Sequence, residues 1–188
     1  LIMMIIGAML TSLTIAREYE AGTMEQLLST PVRPVELVLG KIVPYFVIGM
    51  VGMAIIVAVG TLVFGVPLRG SPLVLFASAV IFMLCVLSVG LFISAATRSQ
   101  TLAFQMGLLT SFLPAFLLSG FVYAIENMPM VIQAVTYVVP ARYFVTLLKG
   151  IFLKGSGVRL LWFEGLMLLF FSVLMFRAAV GKVKGKLA

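Results

Sequence analysis

The stretch LVLFASAVIFMLCVLSVGLFISAAT, Leu73–Thr97, contains no charged residue. A helix rises about 1.5 Å per residue, so this stretch is long enough to cross about 30 Å of hydrocarbon. Its apolar residues run on without the alternation that is typical of a barrel strand, and a helix satisfies its own backbone hydrogen bonds in lipid. The stretch therefore predicts a transmembrane helix.

Four further apolar runs repeat this pattern and predict an all-α membrane protein, a bundle of about five transmembrane helices. In chain order the predicted spans are Leu1–Ala16, Ile42–Val66, Leu73–Thr97, Leu102–Tyr123 and Val158–Phe176. We expect one transmembrane domain over residues 1–188. Because the first run is short and does not begin with methionine, we interpret the chain as the C-terminal part of a longer protein.

Small residues and prolines inside the runs predict local helix geometry. Small residues let membrane helices approach closely, so the glycines of the second span predict packing against another helix. These glycines are Gly49, Gly52, Gly60 and Gly65. Pro44 and Pro114 predict kinks in the second and fourth spans.

Composition excludes several classes of function. The chain is 63% hydrophobic and 10% charged, whereas soluble domains average about 25% charged residues. It contains no histidine, one cysteine (Cys85) and no phosphate-binding P-loop, so we expect no catalytic, metal or cofactor site. The net charge of +7 is better matched by anionic lipid headgroups than by nucleic acid.

The distribution of basic residues predicts orientation. One side receives eight of them, namely Arg17, Arg33, Lys41, Arg98, Arg177, Lys182, Lys184 and Lys186. The other side receives five, namely Arg69, Arg142, Lys149, Lys154 and Arg159. By the positive-inside rule the first side is cytoplasmic, which places the 17–41 loop and the C-terminus inside a multi-pass plasma (inner) membrane protein.

The polar stretch REYEAGTMEQLLSTP, residues 17–31, interrupts the apolar runs. We expect the first span to continue to about Glu20 and to break at Gly22. Thr23 and Gln26 have the spacing of a capping box, and Pro31 stops the helix that follows, Met24–Thr30. This predicts a short amphipathic helix with an exposed acid. An ordinary solvated loop with an interfacial helix is the alternative.

The segment between the last two spans, Ala124–Gly157, contains an apolar run that is too short to cross the membrane. Pro129 and Pro140 are each placed for the first turn of a short helix, which predicts a re-entrant hairpin on the outer side. Glu126 and Arg142 lie on this side, where they either pair, gate an exit path or are simply solvated.

Glu164 lies about one turn inside the last predicted span, after Trp162. Trp162 suits the interfacial aromatic belt. Glu164 either reaches the headgroups or faces a protein-lined cavity.

The pattern R-E-x-E-x-G-T-x-E-Q-L-L-x-T-P in residues 17–31 resembles the cytoplasmic signature of type-2 ABC exporter permeases. The resemblance implies a coupling helix that seats on a separate ATPase subunit, with ATP bound by that partner and no cofactor on this chain. It also implies a second permease copy or a paralogue as partner. The coupling positions that it carries over are Glu18, Glu20, Gly22, Thr23, Glu25, Gln26 and Leu27.

Two further regions resemble the same family, in order along the chain. LSGFVYAIENMP, residues 118–129, resembles the end of the family's fifth span and the entry to its outer helices. VPARYF (139–144) and GIFLKG (150–155) resemble the approach to its last span. The resemblance implies gate positions at Glu126, Pro129, Pro140 and Arg142. The family's first span and extracytoplasmic domain have no counterpart in this sequence.

The sequence therefore predicts the permease subunit of an ATP-driven exporter, without enzymatic activity of its own. A secondary transporter driven by an ion gradient is an alternative, although the interiors of the second, third and fourth spans carry no ionisable residue. A membrane anchor or assembly protein is the other. The sequence leaves the cargo open.

Overall fold

The computed structural model describes residues 2–24, 26, 32–67, 70–97, 99–154 and 158–187. In this part of the chain all regular structure is helical. The helices are α1 (Ile2–Glu20), α2 (Pro34–Leu62), α3 (Pro72–Ala96), α4 (Gln100–Leu113), α5 (Met130–Thr136), α6 (Pro140–Lys149) and α7 (Val158–Leu187). Short π-helical turns extend α4 over Pro114–Leu118 and α6 over Gly150–Lys154.

Five of the described helices are long and apolar enough to cross a membrane. These are α1, α2, α3, α4 together with its π turn, and α7 from Trp162 onward. The predicted all-α membrane bundle is therefore confirmed.

Prolines and one acid fix where several helices begin. Pro34, Pro72 and Pro140 each occupy the first turn of a helix, where the missing N–H is not needed. At the start of α2 the Arg33 backbone N–H donates to Glu36 Oε2 at 3.0 Å. Pro140 is in the first turn of its helix as predicted, whereas Pro129 lies one position before α5 rather than in its first turn.

The bundle is built around α3, the most buried of the five spans. Its two halves belong to two apolar clusters. One cluster joins Met4, Phe82, Tyr143, Phe144 and Leu168, and lies towards the α5–α6 hairpin. The other joins Ile15, Met24, Val38, Leu91 and Val183, and lies where α1 ends and α2 begins. We call the second region the basic end, since Arg17, Arg33 and Lys41 lie beside it.

Small residues bring α1 against both α3 and α4. A Cβ atom on Gly90 of α3 would lie 2.0 Å from Thr11 Oγ1 and 2.5 Å from the Ala8 carbonyl oxygen. A Cβ atom on Gly107 of α4 would lie 2.7 Å from Ser12 Oγ. These contacts explain why the middle of α1 is buried although its sequence is only mildly apolar.

Most glycines of the second predicted span do not contact another helix, contrary to the sequence-based prediction. Only Gly49 meets a neighbour, the side chain of Met83, whereas Gly52, Gly60 and Gly65 have open space around them. The prediction that they mark helix packing is therefore wrong within this chain for those three. The reason is that α2 lies at the outside of the bundle and exposes most of its apolar surface.

Three predicted helix boundaries also differ from the structure. The second span ends at Leu62, before the predicted Val66, and the chain then turns through Gly65 at φ +61°. The fourth span ends at Leu118 rather than Tyr123, because Gly120 has φ +76°, a left-handed conformation that ends the run. The last helix continues past Phe176 to Leu187, because Ala179 and Val183 are buried at the basic end.

The two short helices predicted after Pro129 are present. The segments Met130–Thr136 and Pro140–Phe152 form an angle of 88° to each other. The second of them packs on α3 and α7 through Tyr143, Phe144 and Leu147, which are buried. The Phe82 and Phe144 rings stack with centroids 4.1 Å apart.

Candidate functional site at the basic end

The end of α1 is shaped by a glycine. The Ala21 N–H donates to the Arg17 carbonyl at 3.0 Å, and the Gly22 N–H donates to the Tyr19 carbonyl at 3.3 Å. Gly22 has φ +70°, the left-handed conformation that commonly ends a helix. The predicted break at Gly22 is thus present. Thr23 Oγ1 donates back to the Glu18 carbonyl at 3.4 Å.

The predicted coupling helix Met24–Thr30 lies mostly outside the described residues, which include Met24 and Gln26 but not Glu25 or Leu27. The two described residues are helical. Met24 is only 2% exposed and belongs to the apolar cluster at the basic end, beside Leu37 and Val38. Met24 therefore fixes the start of this segment to the bundle.

Glu20, the last residue of α1, binds the first residue of α4. Its Oε1 accepts the Gln100 backbone N–H at 2.7 Å, and its Oε2 accepts Gln100 Nε2–H at 2.6 Å. Ser99, at the N-cap position of α4, makes no capping hydrogen bond with its own side chain. Glu20 supplies the cap instead, and its negative charge lies at the positive end of the α4 dipole.

Glu18 binds a different helix. Its Oε1 forms an ion pair with Lys41 Nζ of α2, the one ion pair in the described part of the chain. The other carboxylate oxygen, Oε2, is buried and has no hydrogen-bond partner within the described ranges. The Glu18 side chain is 17% exposed and the Lys41 side chain 29% exposed, so water screens this pair less than a pair on the open surface.

A serine joins α1 to α3 just inside the basic end. Ser94 Oγ accepts both the Ile15 and the Ala16 backbone N–H at 2.9 Å. All three residues are fully buried. These two hydrogen bonds therefore connect α3 to α1 at a buried point of their contact.

The seven residues predicted to face an ATPase thus differ in what they do within the chain. Glu18 and Glu20 bind α2 and α4, and Gly22 and Thr23 shape the end of α1. Gln26 is exposed. No sequence signal marked Lys41, Ser94 or Gln100 as partners, because each lies in another helix and the pairing depends on how the helices meet.

At the opposite end, Arg142 is held by the hairpin rather than by Glu126. Its guanidinium donates to Thr136 Oγ1 and to the Gln133 carbonyl (3.4 Å), and lies 3.8 Å from the centroid of the Tyr137 ring. No ion pair joins Arg142 to Glu126, so that part of the interpretation is wrong. Glu126 lies instead in a short 3₁₀ turn, Ile125–Asn127, that precedes α5.

Further contacts tie this hairpin to the bundle. Lys149 Nζ donates to the Gly120 carbonyl at 2.7 Å, which joins α6 to the end of the fourth span. Tyr143 Oη donates to the Tyr137 carbonyl at 2.8 Å, across the break between α5 and α6. Pro140 begins α6 directly after that break. The hairpin is therefore a structured element of the fold.

Glu164 of α7 faces protein rather than water alone. Its Oε2 is buried and has no hydrogen-bond partner among the side chains that the structure describes. Across the ranges that the structure describes, no three His, Cys, Asp or Glu side chains lie together in a way that could hold a metal ion.

The family of the chain follows from comparison with known proteins. The family model described as "ABC-2 family transporter protein" matches residues 1–180. The chain belongs to the ABC-2 transporter family. The resemblance found in the motifs of residues 17–31, 118–129 and 139–155 is therefore confirmed at the level of the family.

Named bacterial relatives of this ABC-2 chain include three from Escherichia coli K12. It is 51% identical over 156 residues to the probable multidrug ABC transporter permease YbhS, covering 83% of the chain and 41% of the relative. It is 37% identical over 158 residues to the probable multidrug ABC transporter permease YbhR, covering 84% of the chain and 43% of the relative. It is 31% identical over 187 residues to the inner membrane transport permease YhhJ, covering 94% of the chain and 49% of the relative. The chain spans less than half the length of these relatives.

Proposed function

We propose that this chain is the membrane-embedded part of a permease subunit in an ATP-driven exporter. Membership of the ABC-2 family, the permease names of its relatives and the five apolar helices support this proposal. ATP is bound and hydrolysed by a separate ATPase subunit, and the cargo crosses between this permease and a second copy or paralogue. The chain binds no cofactor and no nucleic acid, and it resides in the inner (plasma) membrane.

The segment of residues 17–31 receives the movement of the ATPase. It begins in the last turn of α1, where Glu18 and Glu20 connect it to Lys41 of α2 and Gln100 of α4. Met24 adds an apolar anchor in the core of the basic end. A force on this segment is therefore applied to three transmembrane helices at once, and Glu25, Gln26 and Leu27 are the proposed ATPase-facing positions.

The observation that carries the proposal is the double hydrogen bond between Glu20 and Gln100. Both bonds have an ionised acceptor, which makes them shorter and stronger than neutral ones. A rigid connection transmits a rigid-body displacement, whereas a mobile loop absorbs it. ATP shifts the bundle between inward and outward states because the ATPase binds one arrangement of this segment more tightly than the other.

Charge sets the proposed orientation. The basic end contains Arg17, Arg33 and Lys41, and the C-terminal turns of α7 add Arg177 and Lys182. We place this end, with the 17–41 loop and the C-terminus, in the cytoplasm. The α5–α6 hairpin then lies on the outer side, where Glu126, Pro129, Pro140 and Arg142 are proposed to form part of the exit gate.

Glu20→Ala in the full-length protein tests this proposal. The ATPase is first identified as the nucleotide-hydrolysing subunit that copurifies from solubilised membranes, and is then reconstituted with the permease in proteoliposomes. We expect Glu20→Ala to retain ATPase association but to lower transport per ATP hydrolysed by about tenfold, since two charge-assisted hydrogen bonds are lost. Glu36→Ala is the matched control, because Glu36 lies at the same end and its bond in the described part of the chain is local, from the Arg33 backbone N–H.

Equal transport by the two variants, with equal ATPase association, would contradict the proposed role of Glu20. Failure of any nucleotide-hydrolysing subunit to copurify with the wild-type permease would contradict the exporter assignment itself.

Glu164 favours a second candidate, an exporter driven by an ion gradient. Glu164 lies near the start of the last span, and its buried carboxylate oxygen has no partner among the described residues; ionisable side chains in membrane spans often belong to proton pathways. The two candidates are separated by an uncoupler that collapses the proton gradient while ATP is maintained. ATP-driven export continues under these conditions, whereas gradient-driven export stops and is also abolished by Glu164→Gln.

A further inference from the structure

A cleft of about 470 Å³ opens between α1 and α2 at the basic end. One wall is formed by Leu10, Leu13, Thr14 and Arg17 of α1. These residues follow the i, i+3, i+4, i+7 spacing of a single helix face. The wall therefore changes along its length from apolar side chains inside the bundle to a cation at the end.

The opposite wall is formed by Gly40, Lys41, Pro44 and Tyr45 of α2. A Cβ atom on Gly40 would meet nothing within 4 Å, so the backbone itself is accessible at this position. Pro44 lies inside α2 and has no N–H, so it makes no helix hydrogen bond to the Gly40 carbonyl. The Gly40 carbonyl is therefore an acceptor that lacks its normal helix partner.

Charged groups of both signs meet at the polar end of this cleft. Arg17 is exposed, and Lys41 forms the ion pair with Glu18 Oε1 described above. Glu18 also lines the cleft, and its Oε2 is buried and has no hydrogen-bond partner among the residues that the structure describes. The cleft thus combines two cations with the Glu18 carboxylate, whose Oε2 is buried, and with the Gly40 carbonyl, which lacks its helix partner.

We propose that this cleft binds a phospholipid through a phosphoethanolamine headgroup. The phosphate binds Arg17 and Lys41, and the ammonium group donates to the Gly40 carbonyl and to the Glu18 carboxylate, whose buried Oε2 turns into the cleft when the lipid binds. The glycerol and the first acyl carbons lie along Leu10, Leu13 and Pro44. The proposal concerns binding alone and is independent of the exporter function.

The shape of the cleft favours a lipid over a free anion. Its apolar wall would give no interaction to inorganic phosphate, and it leads to exposed apolar surface, with Leu10 40%, Val43 54% and Val47 54% exposed. A choline headgroup also carries positive charge but has no N–H to donate to the two acceptors. Phosphatidylethanolamine offers a phosphate to the cations, N–H donors to the acceptors and acyl carbons to the apolar wall.

Native mass spectrometry of the full-length, delipidated permease tests this proposal. The protein is titrated separately with dioleoyl phosphatidylethanolamine, phosphatidylglycerol and phosphatidylcholine. We expect one tightly bound phosphatidylethanolamine per permease chain, with an affinity about tenfold higher than for phosphatidylcholine. Phosphatidylglycerol binds with intermediate affinity, because it offers the phosphate and hydroxyl donors but no ammonium.

Two variants separate the two halves of the headgroup site. Arg17→Gln lowers the affinity for all three lipids, since it removes a phosphate contact. Glu18→Gln removes the preference for phosphatidylethanolamine over phosphatidylcholine. Arg177→Gln is the matched control, because it removes an exposed cation of α7 outside the cleft. Thermal unfolding of each variant confirms that the protein is folded.

Four outcomes overturn the proposal. Equal affinities of the wild-type protein for phosphatidylethanolamine and phosphatidylcholine would exclude the ethanolamine assignment, as would tighter binding of phosphatidylglycerol. An Arg17→Gln variant that binds lipid as well as Arg177→Gln would place the lipid elsewhere. Displacement of the lipid by millimolar inorganic phosphate would assign a free-anion site instead.

Discussion

Glu20 at the end of α1 caps the N-terminus of α4 by accepting both the backbone and the side-chain N–H of Gln100. The two residues are 80 positions apart in the chain. The contact joins the polar segment that begins at Arg17 to a transmembrane helix that is not its neighbour in sequence. At the same end Glu18 connects α1 to Lys41 of α2, so contacts of α1 reach both α2 and α4.

Removing half of this cap should loosen the start of α4. Gln100→Ala loses the Nε2 hydrogen bond to Glu20 but keeps the backbone hydrogen bond. We expect faster hydrogen exchange in the first turn of α4, by about three- to tenfold, and a smaller effect than that of Glu20→Ala, which removes both bonds. Equal exchange in Gln100→Ala and wild type would show that the side-chain bond is not formed in the membrane.

The close approach of α1 and α3 should tolerate no larger residue at position 90. Gly90→Ala places a Cβ atom 2.5 Å from the Ala8 carbonyl oxygen, a backbone atom that cannot move aside without shifting α1. We expect a cost of about 1–3 kcal/mol in the free energy of unfolding, measured as a lower melting temperature in detergent.

The matched control for Gly90→Ala is Gly52→Ala. Gly52 lies in the middle of α2, and a Cβ atom added there would meet nothing within 4 Å. Alanine at position 52 is therefore neutral, or stabilising because alanine has the better helix propensity. A Gly90→Ala protein that melts at the same temperature as Gly52→Ala would refute the close packing of α1 on α3.

Ser94 should contribute more to stability than another buried serine of the same helix. Ser94→Ala leaves the hydrogen bonds from Ile15 N–H and Ala16 N–H unmade in a buried site, at an expected cost of about 1–2 kcal/mol. Ser88→Ala removes only a hydrogen bond to the Leu84 carbonyl within α3, and should cost less. Thermal unfolding of both variants checks the difference, and the reverse order would contradict the α1–α3 connection.

Arg142 should not be replaceable by lysine. Its guanidinium donates to Thr136 and Gln133 and stacks over Tyr137, whereas a lysine keeps the charge but not the planar group. We expect Arg142→Lys to increase proteolysis and hydrogen exchange in α5, with little change at the basic end. Glu126→Gln is the control and should leave α5 unchanged, since no ion pair joins the two residues.

Sequence patterns predicted the elements that are determined by neighbouring residues in the chain. Uninterrupted apolar runs located the five spans, Gly22 located the end of α1, and Pro140 located the start of α6. The identity of the contacts between helices was not predictable in the same way. The family resemblance gave Glu18 and Glu20 as ATPase-coupling positions, yet each binds a residue of another helix in this chain, Lys41 or Gln100, that no periodic pattern relates to it.

The glycines also show that the sequence does not identify which residues contact another helix. Gly90 and Gly107 are essential to how α1 packs, whereas Gly52 and Gly60 face open space, although all four lie within apolar helices. Which glycine meets a neighbour depends on the rotation of each helix in the bundle. Helix rotation is a tertiary property, and a nearly uniform apolar surface carries little information about it.

Cysteine labelling at position 23 tests the central claim most directly. Thr23→Cys is made in full-length protein in which the buried Cys85 is replaced by alanine. The comparison is Tyr123→Cys in the same background, because Tyr123 lies at the opposite end of the bundle and is 59% exposed. A membrane-impermeant maleimide applied to intact cells should label position 123 but not position 23. In inside-out vesicles it should label position 23, and added ATPase subunit should protect it. Labelling of position 23 from outside intact cells would contradict the account.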